Sequence, residues 1–293
     1  MKFAFAVYQV QHKYNNGTVR DEDADVLTYL QQKGLPIEKV VWDNPNIQWT
    51  HYKAVILKAP WDYHEKYSKF ISWLDQLQNL GIPVWNEVDI VKWNSDKHYL
   101  ADIAQKGLPV IPTRYIHQLD EVTESWFEGS DKWVIKPCIS AGAKNTLLFE
   151  VAQWPEIASH LESWLKEEPY MLQPYVKEIQ SGEWSLLYFG GKYSHSLLKT
   201  PKDADFRVQH YLGGKVDYRT ASSNLIQQAQ RYIDTFASNT LYARVDGVLI
   251  NEVFHLMELE LIEPYLFING EESRLEAYYQ AVLSKCPFLS GNE

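Results

Sequence analysis

The chain has 293 residues, 45% of them hydrophobic and 23% charged, a balance that excludes disorder as the main state and leaves room for about two domains. Lys and Arg total 28 against 38 Asp and Glu, a net charge of −10, which excludes a general binder of nucleic acid or anionic membrane but not a local basic cleft. Two cysteines, Cys138 and Cys286, supply neither a disulfide framework nor, by themselves, a thiolate zinc site, so a cytoplasmic protein is the simplest expectation.

In chain order, residues 3–7 read as a buried strand. The run is too short for a signal segment, because Gln9, Gln11, His12 and Lys13 end it. A helix follows over 25–33, with Val26, Leu27 and Leu30 on one face and Gly34 as its stop. Strands are expected over 40–42 and 54–57. Residues 65–80 make an amphipathic helix in which Phe70, Trp73, Leu74 and Leu77 follow helical spacing, and 82–85 is again a strand. This alternation predicts an α/β domain with a parallel sheet, closing near Val91. Asn94-Ser95-Asp96 then caps a helix carrying Lys97, Leu100 and Ile103. Strands over 110–111, 133–136 and 146–150 precede a helix over 155–167 with Pro155 in its first turn. The last third is strand-rich: 171–173, then 184–189 and 192–198 joined at Gly190-Gly191. A helix over 224–237, a hairpin over 243–250 and 253–261, and a helix over 272–284 complete the chain. No apolar run approaches membrane length.

The most informative segment is Ala243-Arg244-Val245-Asp246-Gly247-Val248 with Met257-Glu258-Leu259-Glu260-Leu261. Side chains alternate along a strand, so Glu258 and Glu260 share one face while Met257, Leu259 and Leu261 point to a core. Two adjacent carboxylates repel unless solvent or a cation lies between them, and magnesium takes oxygen ligands of this kind. A loop centred on Glu252 sets Asp246 opposite Glu258. A two-residue turn at Asn251-Glu252 would shift the register by one and flip the face. The plain alternative is a solvated sheet face.

Further back, Lys136 ends a strand from which it can reach a phosphate. Ile139-Ser140-Ala141-Gly142-Ala143-Lys144 follows, with side chains small enough for backbone N–H groups to approach an anion, though an ordinary hairpin loop has the same look. It is not a Walker loop. An extended segment at Gln173-Pro174-Tyr175-Val176 could read an adenine edge, and Glu183 could accept ribose hydroxyls; the plain alternative is an interdomain strand. Lys58, Trp61, Asp62 and Tyr63 sit at a strand end where open α/β sheets bind ligands, with packing as the alternative. His51, His64, His98, His195 and His210 show no ligand spacing, and Cys138 reads as a small buried residue.

Taken together, Lys97, Lys136, the small-residue loop, Gln173-Pro174-Tyr175-Val176, Glu183, Asp246, Glu258 and Glu260 resemble the ATP-grasp superfamily, in its branch with prokaryotic glutathione synthetase and the ribosomal-protein glutamate ligases. Pro60-Trp61-Asp62-Tyr63, Trp93-Asn94-Ser95-Asp96-Lys97 and Gly182-Glu183-Trp184-Ser185 look like the group containing the O-ureido-D-serine cyclo-ligase. The resemblance implies an N-terminal parallel-sheet domain over 1–91, a small lid subdomain over 92–175 and a catalytic subdomain over 176–293. It implies that Lys97 and Lys136 contact ATP phosphates beneath the loop of Ser140, Ala141, Gly142 and Ala143. Gln173, Tyr175 and Val176 would line the adenine pocket, and Glu183 would hold the ribose. Asp246, Glu258 and Glu260 would hold Mg2+, or Mn2+ in its place. Lys199 and Arg207 would sit near the γ-phosphate and acyl phosphate, with Arg244 a further candidate. Glu260 stands where glutathione synthetase has asparagine, and Ser185 where it has arginine, which separates this chain from glutathione synthesis itself.

The implied activity is an ADP-forming carboxylate–amine ligase acting on small molecules through an acyl phosphate. The competing readings are a small-molecule kinase on the same scaffold and a regulatory module that binds Mg-ATP without turnover. A homodimer is the default oligomer.

Overall fold

The computed structural model describes residues 2–9, 21–142, 145–202 and 214–286. The first sheet is parallel. It holds β1 (Lys2–Val7), β2 (Ile37–Val41), β3 (Tyr52–Ala59) and β4 (Val84–Trp85) in the order β2-β1-β3-β4. Phe3 through Val7 are all buried because both faces of β1 are covered. Phe3, Phe5 and Val7 pack with Val26 and Leu30 of α1 (Glu22–Gln32), whereas Ala4 and Ala6 join Phe70, Trp73, Leu74 and Leu77 of α2 (Tyr67–Asn79). The first of these cores continues into Tyr278 and Val282 of α7 (Glu272–Ser284), so the two ends of the chain share it.

After β4 the structure departs from the sequence reading. Asn94 is not a cap; it is the last residue of α3 (Val88–Asn94), and α4 (Tyr99–Gln105) begins after Lys97. Val88 and Val91 supply the buried side of α3. The Asn94 amide is used elsewhere: it donates to Leu259 O at 2.7 Å and accepts from Leu261 N at 3.0 Å.

The second sheet is antiparallel. It holds β5 (Arg114–Ile116), β6 (Lys132–Pro137), β7 (Leu147–Glu150) and β8 (Tyr170–Pro174) in the order β5-β8-β6-β7, packed with Leu161 of α5 (Trp154–Trp164). The strand expected at 110–111 is a single parallel bridge, Val110 to Leu256. Strand β5 is too short to carry an alternation signal.

The third sheet is antiparallel and five-stranded: β9 (Glu183–Phe189), β10 (Lys192–Thr200), β11 (Lys215–Asp217), β12 (Tyr242–Ile250) and β13 (Val253–Glu260), in the order β11-β10-β9-β12-β13. Gly190 and Gly191 turn the β9–β10 hairpin with φ of 56° and 75°, values an L side chain rarely adopts. Helix α6 (Ser223–Tyr232) runs on into a π-helical turn at Ile233–Ala237. Strand β13 is an edge strand, yet its outer edge is sealed. Besides the Asn94 bonds, Leu259 N donates to Tyr99 Oη at 2.9 Å, and Leu256 exchanges backbone bonds with Pro109 and Ile111. An unpaired buried backbone group costs about 1–3 kcal/mol, so this seam fixes β13 and the side chains it presents.

Candidate active site

The site is built on the β12–β13 pair. The connecting turn has two residues, Asn251 and Glu252, with φ of 50° and 65°, and Ile250 pairs with Val253. That alone would set Asp246 out of step with Glu258. A β-bulge between Asp246 and Gly247 restores the register: Gly247 pairs with Leu256 and Asp246 with Glu258, leaving Met257 as the extra residue. The expected pairing stands, but it is reached by a route the expectation excluded. The bulge also corrects Met257, which packs with Val248, Ile111 and Ile179, while Leu259 and Leu261 enter the main core.

Around this pair the charges alternate in sign. Both Asp246 oxygens accept protein donors: Oδ1 from Ser185 Oγ at 2.7 Å and Arg244 Nε at 3.1 Å, Oδ2 from Lys199 Nζ and Arg244 Nε, each at 3.1 Å. Arg244 also pairs with Glu260 and donates to Tyr265 O at 2.9 Å. Lys199 pairs with Glu183, its cross-strand neighbour. Lys97 Nζ lies 3.3 Å from Glu258 Oε1 and donates to Ser140 O at 2.6 Å.

Burial alone would raise every carboxyl here. For Asp246 the charges of Arg244 and Lys199 win, holding it at about 2. For Glu258, Lys97 and Lys136 outweigh burial and lower it. For Glu260 burial prevails even beside Arg244, and the carboxyl rises to about 8. Glu183 and Glu263 are raised by burial as well. Burial also lowers the Lys136 ammonium, with neighbouring Lys97 adding to the effect. The donor set is all oxygen, and Glu258 and Glu260 keep 35% and 24% of their side chains exposed. A hard cation such as Mg2+ or Mn2+ fits these carboxylates, since its charge would favour the ionised form of Glu260 that burial disfavours.

The remaining predicted residues surround this centre. Ser140 donates from Oγ to Pro137 O at 3.2 Å, and Ala141 and Gly142 follow it, Gly142 with φ of 61°. Gln173 is buried on β8 and donates to Thr113 Oγ1 at 2.8 Å. Tyr175 and Val176 pack with Ile111, Ile179, Val248 and Met257 in an apolar patch between β8 and β9. Ala143 and Arg207 lie outside the described residues.

The strand-end group resolves differently. Lys58 is fully buried between Glu22 at 3.1 Å and Asp23 at 2.7 Å. Asp62 accepts Trp42 Nε1 at 2.8 Å and Lys66 Nζ at 2.6 Å, and Tyr63 is in the core. These three are packing residues. Trp61 stacks on Tyr8 with centroids 5.6 Å apart and donates to Glu263 O at 3.2 Å, which leaves it beside the site.

Sequence reasoning missed Ser185 as a partner of Asp246, although it lies two residues after Glu183 on the same strand face. It also missed Asn94 and Tyr99 as supports of β13. Asn94 stands beside Ser95 and Asp96, which gives the segment the look of a helix cap.

Comparison with known proteins places two family descriptions on the chain. Residues 4–86 match the N-terminal domain of D-cycloserine synthetase DcsG, and residues 103–255 match the ATP-grasp domain of prokaryotic glutathione synthetase. The cycloserine biosynthesis protein DcsG of Streptomyces lavendulae is 26% identical over 270 residues, covering 86% of this chain and 89% of that protein. The crystal structure of D-cycloserine synthetase DcsG superposes with a TM-score of 0.85 at 22% identity, covering 97% of this chain and 99% of that one. An ATP-grasp RimK domain protein from Sphaerobacter thermophilus superposes with a TM-score of 0.71 at 15% identity, covering 96% and 98%. Among the described residues, no helix is long and apolar enough to cross a membrane.

Proposed function

The chain belongs to the ATP-grasp family of prokaryotic glutathione synthetase, and on that premise we propose that it is an ADP-forming ligase joining a carboxylate to a nitrogen nucleophile through an acyl phosphate. The observation that carries this reading is the convergence of Lys97, Lys199 and Arg244 on Glu183, Asp246, Glu258 and Glu260. Such a charge-balanced cluster can take a polyphosphate and its cation together.

A carboxylate is a poor electrophile. Phosphoryl transfer from ATP converts it into a mixed anhydride that an amine can open, and the transfer depends on positioning and charge neutralisation. Lys97 and Lys136 would hold the phosphates, and the Ser140–Gly142 backbone would offer them N–H groups. Tyr175, Val176 and Met257 offer an apolar seat for the base, flanked by Gln173, and Glu183 receives the ribose. Asp246, Glu258 and Glu260 would hold the divalent cation, with Asp246 oriented by Ser185, Lys199 and Arg244. When bound, that cation supplies Lewis-acid neutralisation of the phosphate oxygens. Arg244 and Lys199 offset charge on the acyl phosphate, and Arg207 is proposed to join them. Closure of the small-residue loop excludes water, which would otherwise hydrolyse the anhydride.

The similarity to DcsG supports a small amino-acid-like substrate, with the nucleophile on the same molecule or on a second one. The test is ADP release with Mg-ATP across a panel of amino acids and short peptides, with and without hydroxylamine. The reading predicts ADP release that depends on the carboxylate, together with a hydroxamate. ADP without hydroxamate would indicate a kinase, and nucleotide binding with no turnover on any carboxylate would indicate a regulatory module.

A further inference from the structure

A second group of ligating atoms lies against Lys97. A carboxylate oxygen of Asp96, a ring nitrogen of His98 and Sγ of Cys138 all lie within 4.8 Å of one another. Cys138 is distant in sequence from the other two, and the fold ties them together: Lys97 N donates to Cys138 O at 3.0 Å, and Cys138 N donates to Pro169 O at 2.9 Å. His98 is fixed on both sides. Asp96 Oδ1 lies 2.6 Å from His98 Nδ1 and also accepts the His98 backbone N–H at 3.0 Å. The ring stacks on Tyr115 with centroids 4.1 Å apart and planes 22° from parallel. Tyr115 in turn donates to Lys97 O at 3.0 Å.

Because Asp96 Oδ1 faces Nδ1, a cation held by both residues would sit at Nδ1 in place of the proton they share. Nε2 is buried and has no hydrogen-bond partner. Cys138 is fully buried, while Asp96 and His98 each keep 34% of the side chain exposed, so the cluster has a way in from solvent. The nucleotide-side carboxylates offer oxygen only, whereas this cluster offers sulfur, nitrogen and oxygen. Such a mixed set suits zinc and its tetrahedral relatives and does not suit magnesium.

We propose that Asp96, His98 and Cys138 form a second metal site, selective for zinc-class divalent cations over magnesium and distinct from the carboxylates of β12 and β13. Binding takes Cys138 as the thiolate and releases its proton to solvent, so affinity rises with pH. Three protein ligands leave the fourth tetrahedral position to water.

Cobalt(II) is the probe, since its thiolate complexes give a charge-transfer absorption and its tetrahedral complexes strong visible bands. The full-length reduced protein is titrated with Co2+ in saturating Mg2+, which occupies the carboxylates of β12 and β13. The expected result is a thiolate–cobalt band that saturates at about one equivalent and is displaced by Zn2+. The band should be lost in Cys138→Ser, weakened about tenfold or more in affinity in His98→Gln, and retained in Glu258→Gln and Cys286→Ser. His98 is partly exposed, so its variant keeps the test decisive if Cys138→Ser fails to fold. Absence of the band in the wild-type protein overturns the proposal, as does a band that persists in both Cys138→Ser and His98→Gln or disappears in Cys286→Ser. None of these outcomes bears on the ligase reading, which has its own assay.

Discussion

Asp246 and Glu258 face each other across β12 and β13 because two irregularities cancel: a two-residue turn that would misalign them and a bulge at Met257 that realigns them. The bulge depends on Gly247. A Cβ there would overlap His255 O and come within 2.6 Å of the Phe254 ring. Gly247→Val should therefore lower stability by about 1–3 kcal/mol and abolish the stabilisation given by Mg-ATP, since the carboxylates would no longer share a face. Urea unfolding with and without nucleotide checks both halves.

The sealed edge of β13 gives a second prediction. Asn94→Leu is nearly isosteric but strips partners from Leu259 O and Leu261 N. It should cost about 2–6 kcal/mol in denaturant unfolding, the sum of two unpaired buried groups. The Km for ATP should rise as well, because the strand bearing Glu258 and Glu260 loses its anchor. An unchanged Km with the full stability loss would confine Asn94 to a packing role.

Lys58 illustrates a charge placed for structure. Its neighbour Glu22 also accepts Leu266 N at 2.6 Å and Ile268 N at 3.3 Å, tying α1 to the segment that follows β13. Lys58→Met leaves the buried Glu22 and the half-buried Asp23 without their cation. Breaking such a pair costs about 3–5 kcal/mol. The double variant with Glu22→Gln should recover part of that loss, and the shortfall from additivity measures the coupling.

His195 gives the pH dependence. Burial, aided by Arg274, pushes its imidazole down to about 4, while Nε2 stays bonded to Leu266 O at 2.9 Å. A histidine that is harder to protonate in the fold than in the unfolded chain contributes stability that is present above about pH 6.5. That contribution falls between about 6.5 and about 4, with a slope of up to about 1.4 kcal/mol per pH unit. His195→Gln should flatten this component of the profile relative to wild type, and a parallel pair of curves would contradict it.

Where one physical rule governed a segment, the sequence was enough to read it. Helix α7 and the amphipathic side of α2 followed from apolar spacing, and β1 from a short apolar run. The alternation of Glu258 and Glu260 marked the candidate site because strand geometry leaves little choice. Elements defined by partners were hidden. β5 and β11 are too short to have a period, and Asn94 looks like a helix cap until β13 is seen beside it. The bulge at Met257 is set by long-range packing around Gly247, which no local spacing reports. His98 and Cys138 are forty positions apart, so spacing could not pair them.

The most direct test of the central claim is thermal unfolding with and without Mg-ATP, in the wild-type protein and in Glu258→Ala. A ligand that binds only the native state stabilises it, by about 2.7 kcal/mol at a hundredfold excess over its dissociation constant. The account predicts a rise in Tm that requires magnesium and shrinks sharply in Glu258→Ala. A wild-type Tm unmoved by saturating Mg-ATP, or an equal rise in the variant, would contradict it.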